Sequence, residues 1–135
     1  MVFYELLMTT KDVIPYKALT ELTKSIAHKV VENGGIVRGV QNHGIRVLPN
    51  RFRARYPDET TGSRYFQKGR FISLYYDSSP KVMSEVGSLV KMHDDVLRET
   101  HLKVRNKMWY VNIVNEKKNP YIQRVKAMEE AGTSK

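Results

Sequence analysis

The sequence contains no cysteine, and this absence removes several kinds of chemistry from consideration. Disulfide bridges, thiolate metal ligands and cysteine nucleophiles are all excluded. The sequence also has no apolar run near the roughly 18 residues that a membrane-spanning helix needs. Its first residues show neither a signal-peptide core nor an Arg-rich amphipathic leader, so we expect no cleaved targeting segment.

Acidic residues are scarce relative to basic ones. The 135 residues include 14 Asp and Glu against 23 Lys and Arg, which gives a net charge of +9. A charge of this size favours a polyanionic partner, although it says nothing about fold. The length suits one domain with a hydrophobic core and a short extension.

The positive charge is concentrated between residues 46 and 70. Aromatic residues alternate with the basic ones there, and only Asp58 and Glu59 oppose them. Guanidinium groups bind phosphates and aromatic rings stack on unpaired bases, so the segment predicts RNA binding. The alternative is that the arginines solvate a long hairpin while the rings pack back on the domain. The basic residues of the segment are Arg46, Arg51, Arg53, Arg55, Arg64, Lys68 and Arg70, and the aromatic ones are Phe52, Tyr56, Tyr65 and Phe66.

Apolar periodicity and turn residues predict a strand, a helix, two strands, a helix and a last strand. We place them at residues 3–9, 15–33, 36–48, 69–77, 79–93 and 96–104. The second strand is expected to carry a bulge near its glycines and to end at Pro49. Two strand-helix-strand halves with right-handed crossovers fold most simply as an α+β, ferredoxin-like split βαβ sandwich. Its four-stranded antiparallel sheet would have both helices on one face and the other face available.

The domain organisation follows from these elements. Residues 1–104 form the ferredoxin-like domain, with a basic insertion at residues 49–68, and residues 105–135 form a C-terminal extension with a short helix near residues 121–130. Within the extension, Trp109 and Tyr110 could cover the sheet of the domain or dock a partner, and we predict them as partner-binding residues.

Enzymatic motifs are missing from the sequence. The four histidines lack metal-ligand spacing, and no phosphate loop, dinucleotide fingerprint or nucleophile elbow appears, so we expect no metal, cofactor or catalytic residue. One alternative is a small enzyme or ligand sensor that uses His93, Asp94 and Asp95 for acid-base work. Another is a free-standing RNA-binding regulator. The segment from Lys68 to Tyr75 begins like an RNA-recognition signature but has Arg70 where the first stacking ring belongs.

Five short motifs, taken in order, resemble those of the small-subunit ribosomal protein S6 family, especially its mitochondrial members. The resemblance covers residues 3–104. The motifs are Tyr4-Glu5-Leu6-Leu7, Asn33-Gly34-Gly35, Gly44-Ile45-Arg46-Val47-Leu48-Pro49, Gly69-Arg70-Phe71 through Tyr76, and Asp95-Val96-Leu97-Arg98.

The resemblance implies a ferredoxin-like structural constituent of the small ribosomal subunit without enzymatic activity. It implies small-subunit rRNA, ribosomal protein S18 and other small-subunit proteins as partners, and a location on ribosomes of the mitochondrial matrix. Arg46 and Arg98 match basic positions of the family pattern, so both are candidate RNA-binding residues. The stretch from Arg51 to Arg64 and the region after Val104 depart from the bacterial pattern, so the resemblance assigns no contacts there.

Overall fold

The computed structural model describes residues 1–104 and 120–133. Residues 1–103 form one compact unit and residues 104–135 form a second, which is treated by itself. The first unit contains β1 (Val2–Lys11), α1 (Tyr16–Glu32), β2 (Ile36–Arg53), β3 (Tyr65–Ser78), α2 (Pro80–Met92) and β4 (Val96–Lys103). The second contains α3 (Pro120–Thr133), near the predicted short helix.

The four strands form one sheet in the order β2-β3-β1-β4. All three strand pairs, β1–β3, β1–β4 and β2–β3, are antiparallel. The two central strands, β1 and β3, are therefore separated in sequence by α1 and β2, as two interleaved strand-helix-strand halves require. This order confirms the predicted ferredoxin-like fold.

The hydrophobic core lies between one face of the sheet and helices α1 and α2. Alternate residues of β1 and β3 point into it, because successive side chains of a strand lie on opposite faces of the sheet. Burying each large aliphatic side chain contributes about 1.5–3 kcal/mol relative to exposing it. The fully buried apolar members are Leu6, Met8, Ile26, Val30, Leu74, Tyr76, Val86 and Val90.

The helix boundaries follow their predicted signals. Ser79 precedes α2, and its Oγ accepts a hydrogen bond from the N–H of Val82 at 3.4 Å. Pro80 occupies the first turn, where its missing N–H costs nothing. Helix α1 ends before Asn33, and Gly34 follows with a φ of 78°. A side-chain cap therefore begins α2, and a glycine in the left-handed region follows the end of α1.

The sheet face opposite the helices is buried at its centre. Phe3 and Tyr75 are 2% and 5% exposed, and Ser73 is fully buried. The Glu5 carboxylate accepts hydrogen bonds from Ser73 Oγ at 2.9 Å and from the Tyr75 hydroxyl at 3.2 Å. The prediction that this face is available is therefore wrong for the centre of the sheet.

Strand β2 is longer than predicted, because it continues past Pro49 to Arg53. Its pairing with β3 stops at Val47 and resumes at Phe52. Proline has no N–H to donate, so it interrupts the ladder without ending the strand. The predicted bulges near the glycines are confirmed, since the register shifts between Val37 and Gly39 and again before Gly44.

Candidate nucleic-acid interface

The segment that carries the positive charge is a β-hairpin, which we call the basic hairpin (residues 46–70). It consists of the far half of β2, the connection 54–64 and the near half of β3. Ala54 N–H donates to the carbonyl of Arg64 at 2.7 Å, which extends the pairing into the connection. The predicted insertion at residues 49–68 therefore has strand at both ends, with Arg55 and Arg64 on the connection between them.

The turn of the basic hairpin is organised by Asp58. Its carboxylate accepts hydrogen bonds from the hydroxyl groups of Thr60 at 2.7 Å and Thr61 at 3.2 Å. The bond from Thr60 is the main reason why the pKa of Asp58 lies below its ordinary value. Gly62 closes the turn with a φ of 68°. One of the two acidic residues in the hairpin therefore serves the turn.

The hairpin packs against the domain where it leaves the sheet. Leu48 is buried near Gly69, and a Cβ atom on Gly69 would lie 2.7 Å from Thr9 Cγ2 and 3.4 Å from Leu48 Cδ2. Only glycine at position 69 lets the backbone of β3 lie this close to the side chains of Thr9 and Leu48. The hairpin therefore continues across the end of β1.

Beyond that crossing, the hairpin reaches β4 and the end of α2. The guanidinium carbon of Arg98, on β4, lies 4.4 Å from the ring centroid of Phe52. Arg55 Nη1 lies 3.8 Å from Met92 Sδ, and Ala54 is 4% exposed. These contacts attach the hairpin to elements distant in sequence.

The four aromatic residues of the hairpin fall into two pairs. Phe66 is buried beneath the Lys11 ammonium, which lies 5.5 Å from the ring centroid, and Phe52 is half-buried against Arg98. Tyr56 and Tyr65 are 52% and 54% exposed. The phenylalanines therefore support the hairpin, while the tyrosine rings are exposed, as rings that stack on unpaired bases must be.

Six basic side chains of the hairpin are exposed to solvent. None of the six forms an ion pair with a carboxylate of residues 1–104 or 120–133. Their charge is therefore not neutralised within the described parts of the chain and is available to phosphates. The six are Arg46, Arg51, Arg53, Arg55, Arg64 and Lys68.

Arg70 differs from the other basic residues of the hairpin. It is 8% exposed, and its guanidinium carbon lies 4.8 Å from the Tyr16 ring centroid. Its Nη1 also donates to the Tyr16 hydroxyl at 3.3 Å. The structure thus places Arg70 in the packing between β3 and the start of α1.

A concave site, which we call the basic pocket, lies where the hairpin meets the corner between α2 and β4. It has a volume of about 400 Å³. Its charged lining consists of Arg53, Arg55, Arg64 and Lys91, and the rest of its lining consists of Ala54, Val96 and Leu97. Lys91 lies in the last turn of α2 and lines the pocket, and it was not among the basic residues predicted from the sequence to bind RNA. A basic residue in the last turn of a helix indicates only a favourable helix dipole, so packing alone reveals its second role.

A second cleft borders the other side of the hairpin, and acidic residues dominate it. Asp58, Glu59, Asp94 and Asp95 line it together with Lys11. In the described residues, no group of three or more histidines and carboxylates is arranged to hold a metal ion.

His93 takes part in the turn beside this cleft. Its Nδ1 accepts a hydrogen bond from the N–H of Asp95 at 3.3 Å. The predicted acid-imidazole group is therefore built into the connection between α2 and β4.

Comparison with known proteins identifies the family. The profile of the family described as ribosomal protein S6 matches residues 3–103 of the chain. The chain belongs to the ribosomal protein S6 family. The resemblance stated from the sequence motifs is thereby confirmed at the level of the family.

The fold of this S6 family member is also that of a solved ribosomal protein. The crystal structure of the 30S ribosomal protein S6 from Thermotoga maritima superposes with a TM-score of 0.62 and 12% sequence identity. The match covers 84% of this chain and 96% of the bacterial one. Family and fold together support a structural role in the small ribosomal subunit, and the family is one of ribosomal structural proteins, not enzymes.

The S6 family member also has an apolar groove between α1 and its edge strand β2. The groove has a volume of about 400 Å³ and includes Tyr16, Leu19, Val40 and Ile72 in its lining. Within the described residues, β2 pairs only with β3, so its outer backbone edge is open. Exposed apolar side chains follow this edge, including Ile45 and Val47 at 48% and 74% exposure.

Two predicted site residues of this S6 family member, Trp109 and Tyr110, lie outside the described residues. Arg98 lies on β4 as predicted and is exposed, with one ring face of Phe52 against its guanidinium. Among the residues that the structure describes, no helix is both long and apolar enough to span a membrane.

Proposed function

We propose that the chain is a structural constituent of the mitochondrial small ribosomal subunit that binds small-subunit rRNA through the basic hairpin. The observation that carries the proposal is a set of six exposed basic side chains on one hairpin of the S6 domain, none of which has an ion-pair partner among the described residues. Such charges bind the RNA backbone by releasing counterions, independently of sequence. Arg98, beside the hairpin, extends the same surface onto β4.

Three features support binding to RNA. The exposed rings of Tyr56 and Tyr65 belong to the same hairpin as the basic side chains, and exposed aromatic rings suit stacking on unpaired bases. The hairpin is held by contacts at both its crossing and its far end, which reduces the entropy lost when it binds. The family is ribosomal, so a folded RNA is the polyanion that its members meet. Arg70 is assigned to packing in this proposal, because Tyr16 covers it.

The mitochondrial location is part of the same proposal. It rests on the sequence motifs, which resemble mitochondrial members most, and on the insertion from Arg51 to Arg64, since the bacterial pattern joins the second and third strands more tightly. We also propose that Trp109 and Tyr110, in the C-terminal extension, bind a protein partner.

For protein partners, we propose that ribosomal protein S18 docks on the open edge of β2 and the adjoining groove. An extended segment can add a strand to an open sheet edge, and the exposed apolar side chains beside that edge would then be buried. Other small-subunit proteins would meet the C-terminal extension.

One experiment tests the assembly claim. The tagged protein is expressed in its own cells, lysates are separated on a density gradient, and a photo-crosslinking residue is placed at Val47 or, as a control, at the exposed Val31 on α1. We expect cosedimentation with the mitochondrial small subunit and a crosslink to S18 from position 47 alone. Sedimentation away from ribosomal subunits would instead favour a free-standing RNA-binding regulator. A crosslink to S18 from both positions or neither would refute the edge interface.

A further inference from the structure

The basic pocket brings together charges that the chain keeps far apart in sequence. Arg53, Arg55 and Arg64 come from the two sides of the hairpin, and Lys91 comes from the last turn of α2. The pocket exists because the hairpin bends across the strand ends to reach this corner, as the contact between Phe52 and Arg98 shows. The hairpin alone would present its arginines as an open row.

The electrostatics of the pocket favour an anion. No carboxylate belongs to its lining, and the three arginines have no ion-pair partner among the described residues. Lys91 does have a counter-charge in Glu99, whose Oε1 lies 3.3 Å from Lys91 Nζ. That carboxylate is 10% exposed, and its Oε2 also lies 3.0 Å from His101 Nδ1. Three guanidinium groups therefore share one concavity without an ion-pair partner among residues 1–104 and 120–133.

The shape and lining restrict the anion further. The apolar part of the lining, Val96 and Leu97, offers contact surface to carbon atoms beside the charge. A volume of about 400 Å³ exceeds what one phosphate group occupies and leaves room for the sugar attached to it. Planar guanidinium groups bind phosphate oxygens in pairs, which a row of lysines would not do.

We propose that the basic pocket is a discrete site for one phosphodiester of the RNA backbone, held jointly by Arg55 and Arg64 with Arg53 and Lys91 beside them. This inference rests on the proposed RNA-binding function and adds a defined site to it. The other basic side chains of the hairpin attract the RNA backbone electrostatically without fixing its position. The pocket, by contrast, positions one nucleotide relative to the domain.

The test compares variants that each remove one positive charge. R55Q and R64Q alter the pocket, while R51Q and K68Q alter exposed positions of the same hairpin outside it. Affinity of the full chain for a fluorescein-labelled transcript of small-subunit rRNA is measured at one fixed salt concentration. We expect about tenfold weaker binding for each pocket variant and about twofold for each control, because only the pocket variants lose charge-assisted hydrogen bonds.

The double variants supply the sharper test. Two arginines that hold one phosphate act as a unit, so R55Q/R64Q should weaken binding by less than the product of the single effects. R51Q/K68Q, whose residues act separately, should show the simple product. Multiplicative effects in both pairs would refute the shared site. Circular dichroism of each variant verifies that its fold is retained.

The outcomes separate this inference from the proposed function. Equal weakening by all four single variants would refute the pocket while the hairpin keeps its role in RNA binding. No weakening by any of them would remove both the pocket and the hairpin from the RNA interface. Inorganic phosphate, titrated against the Arg Nε–H signals in NMR spectra, provides an independent probe. If it shifts the pocket arginines as fully as a short RNA does, the site takes free phosphate and the RNA assignment is overturned.

Discussion

The guanidinium of Arg98 lies over the ring of Phe52, 4.4 Å from its centroid, and joins β4 at one edge of the sheet to a hairpin that begins at the other edge. Since β3 and β1 separate β2 from β4, the contact can form only when the hairpin bends across the sheet. It thereby fixes where the arginines around Phe52 are presented. We regard it as the latch of the basic hairpin.

The latch predicts a measurable coupling between its two residues. An exposed cation–π pair contributes about 0.5–1 kcal/mol, so a double-mutant cycle of F52L and R98A in urea unfolding should give a coupling of that size. Hydrogen exchange of residues 49–66 should accelerate in either variant, because the hairpin opens more often. Additive losses of stability with unchanged hydrogen exchange would show that the contact between Phe52 and Arg98 does not hold the hairpin against the domain.

The exposed tyrosines are predicted to contact bases. Y56A and Y65A should each weaken RNA binding by about 1–3 kcal/mol where the ring stacks on a base, while Y56F and Y65F should bind nearly as well as the wild type. Thermal stability should change little, since both rings are more than half exposed. Equal affinity of the alanine and phenylalanine variants would limit the hairpin to phosphate contacts.

Much of the fold was predictable because the local patterns agree with the tertiary structure. The stripe from Leu19 to Val30 and the alternation of Ile72, Leu74 and Tyr76 both mark surfaces that end in the core. The strand ends were not predictable, because Pro49 stops a regular ladder but is tolerated on an edge strand that bulges. Strand β2 continues beyond Pro49 to Arg53 because Leu48 and Ala54, on either side of that segment, are buried against residues that are distant in sequence.

The candidate site was predictable in composition but not in arrangement. Charge and aromatic content identify the segment, yet nothing local distinguishes the buried Arg70 from the exposed Arg64. That difference depends on Tyr16, which α1 brings to β3 from a distant part of the sequence. Likewise, Lys91 joins the basic pocket only because the hairpin bends toward α2.

Arg70 is predicted to stabilise the fold without binding RNA. R70A removes a buried cation that stacks on Tyr16 and donates to its hydroxyl, so the free energy of unfolding should fall by about 2 kcal/mol. The salt dependence of RNA binding should stay that of the wild type. R51A provides the control, since removing an exposed charge should weaken RNA binding and leave stability nearly unchanged. A stable R70A protein with a reduced salt slope would reassign Arg70 to the interface.

Stability is predicted to decrease on acidification because of His101. Burial lowers the pKa of this imidazole, whereas its contact with Glu99 acts in the opposite direction, as the Lys91 ammonium acts with burial. In the unfolded chain the histidine titrates near about 6.5, so below that pH the unfolded state binds more protons than the folded state. Stability is therefore lost as pH falls from the unfolded pKa toward the lower folded one.

The measurement for this pH effect is the urea midpoint of unfolding between about pH 7.5 and about pH 5.5. The wild type should lose more stability over this interval than H101Q, which keeps a hydrogen-bonding group beside Glu99. H28Q, altered at an exposed histidine of α1, should follow the wild type. Identical pH profiles for H101Q and the wild type would exclude the imidazole as the cause.

The central claim, that RNA is bound through the basic hairpin, is tested most directly by the salt dependence of binding to small-subunit rRNA. The triple variant R51A/R53A/R55A is compared with K17A/K24A/K81A, which removes three exposed charges from the helices. Each phosphate contact contributes about 0.7–0.9 to the slope of log affinity against log salt. The account predicts that the arginine variant loses a slope of about one to two, because Arg53 and Arg55 share one phosphate, while the lysine variant stays close to the wild type. Equal slopes for the arginine variant and the wild type would contradict it.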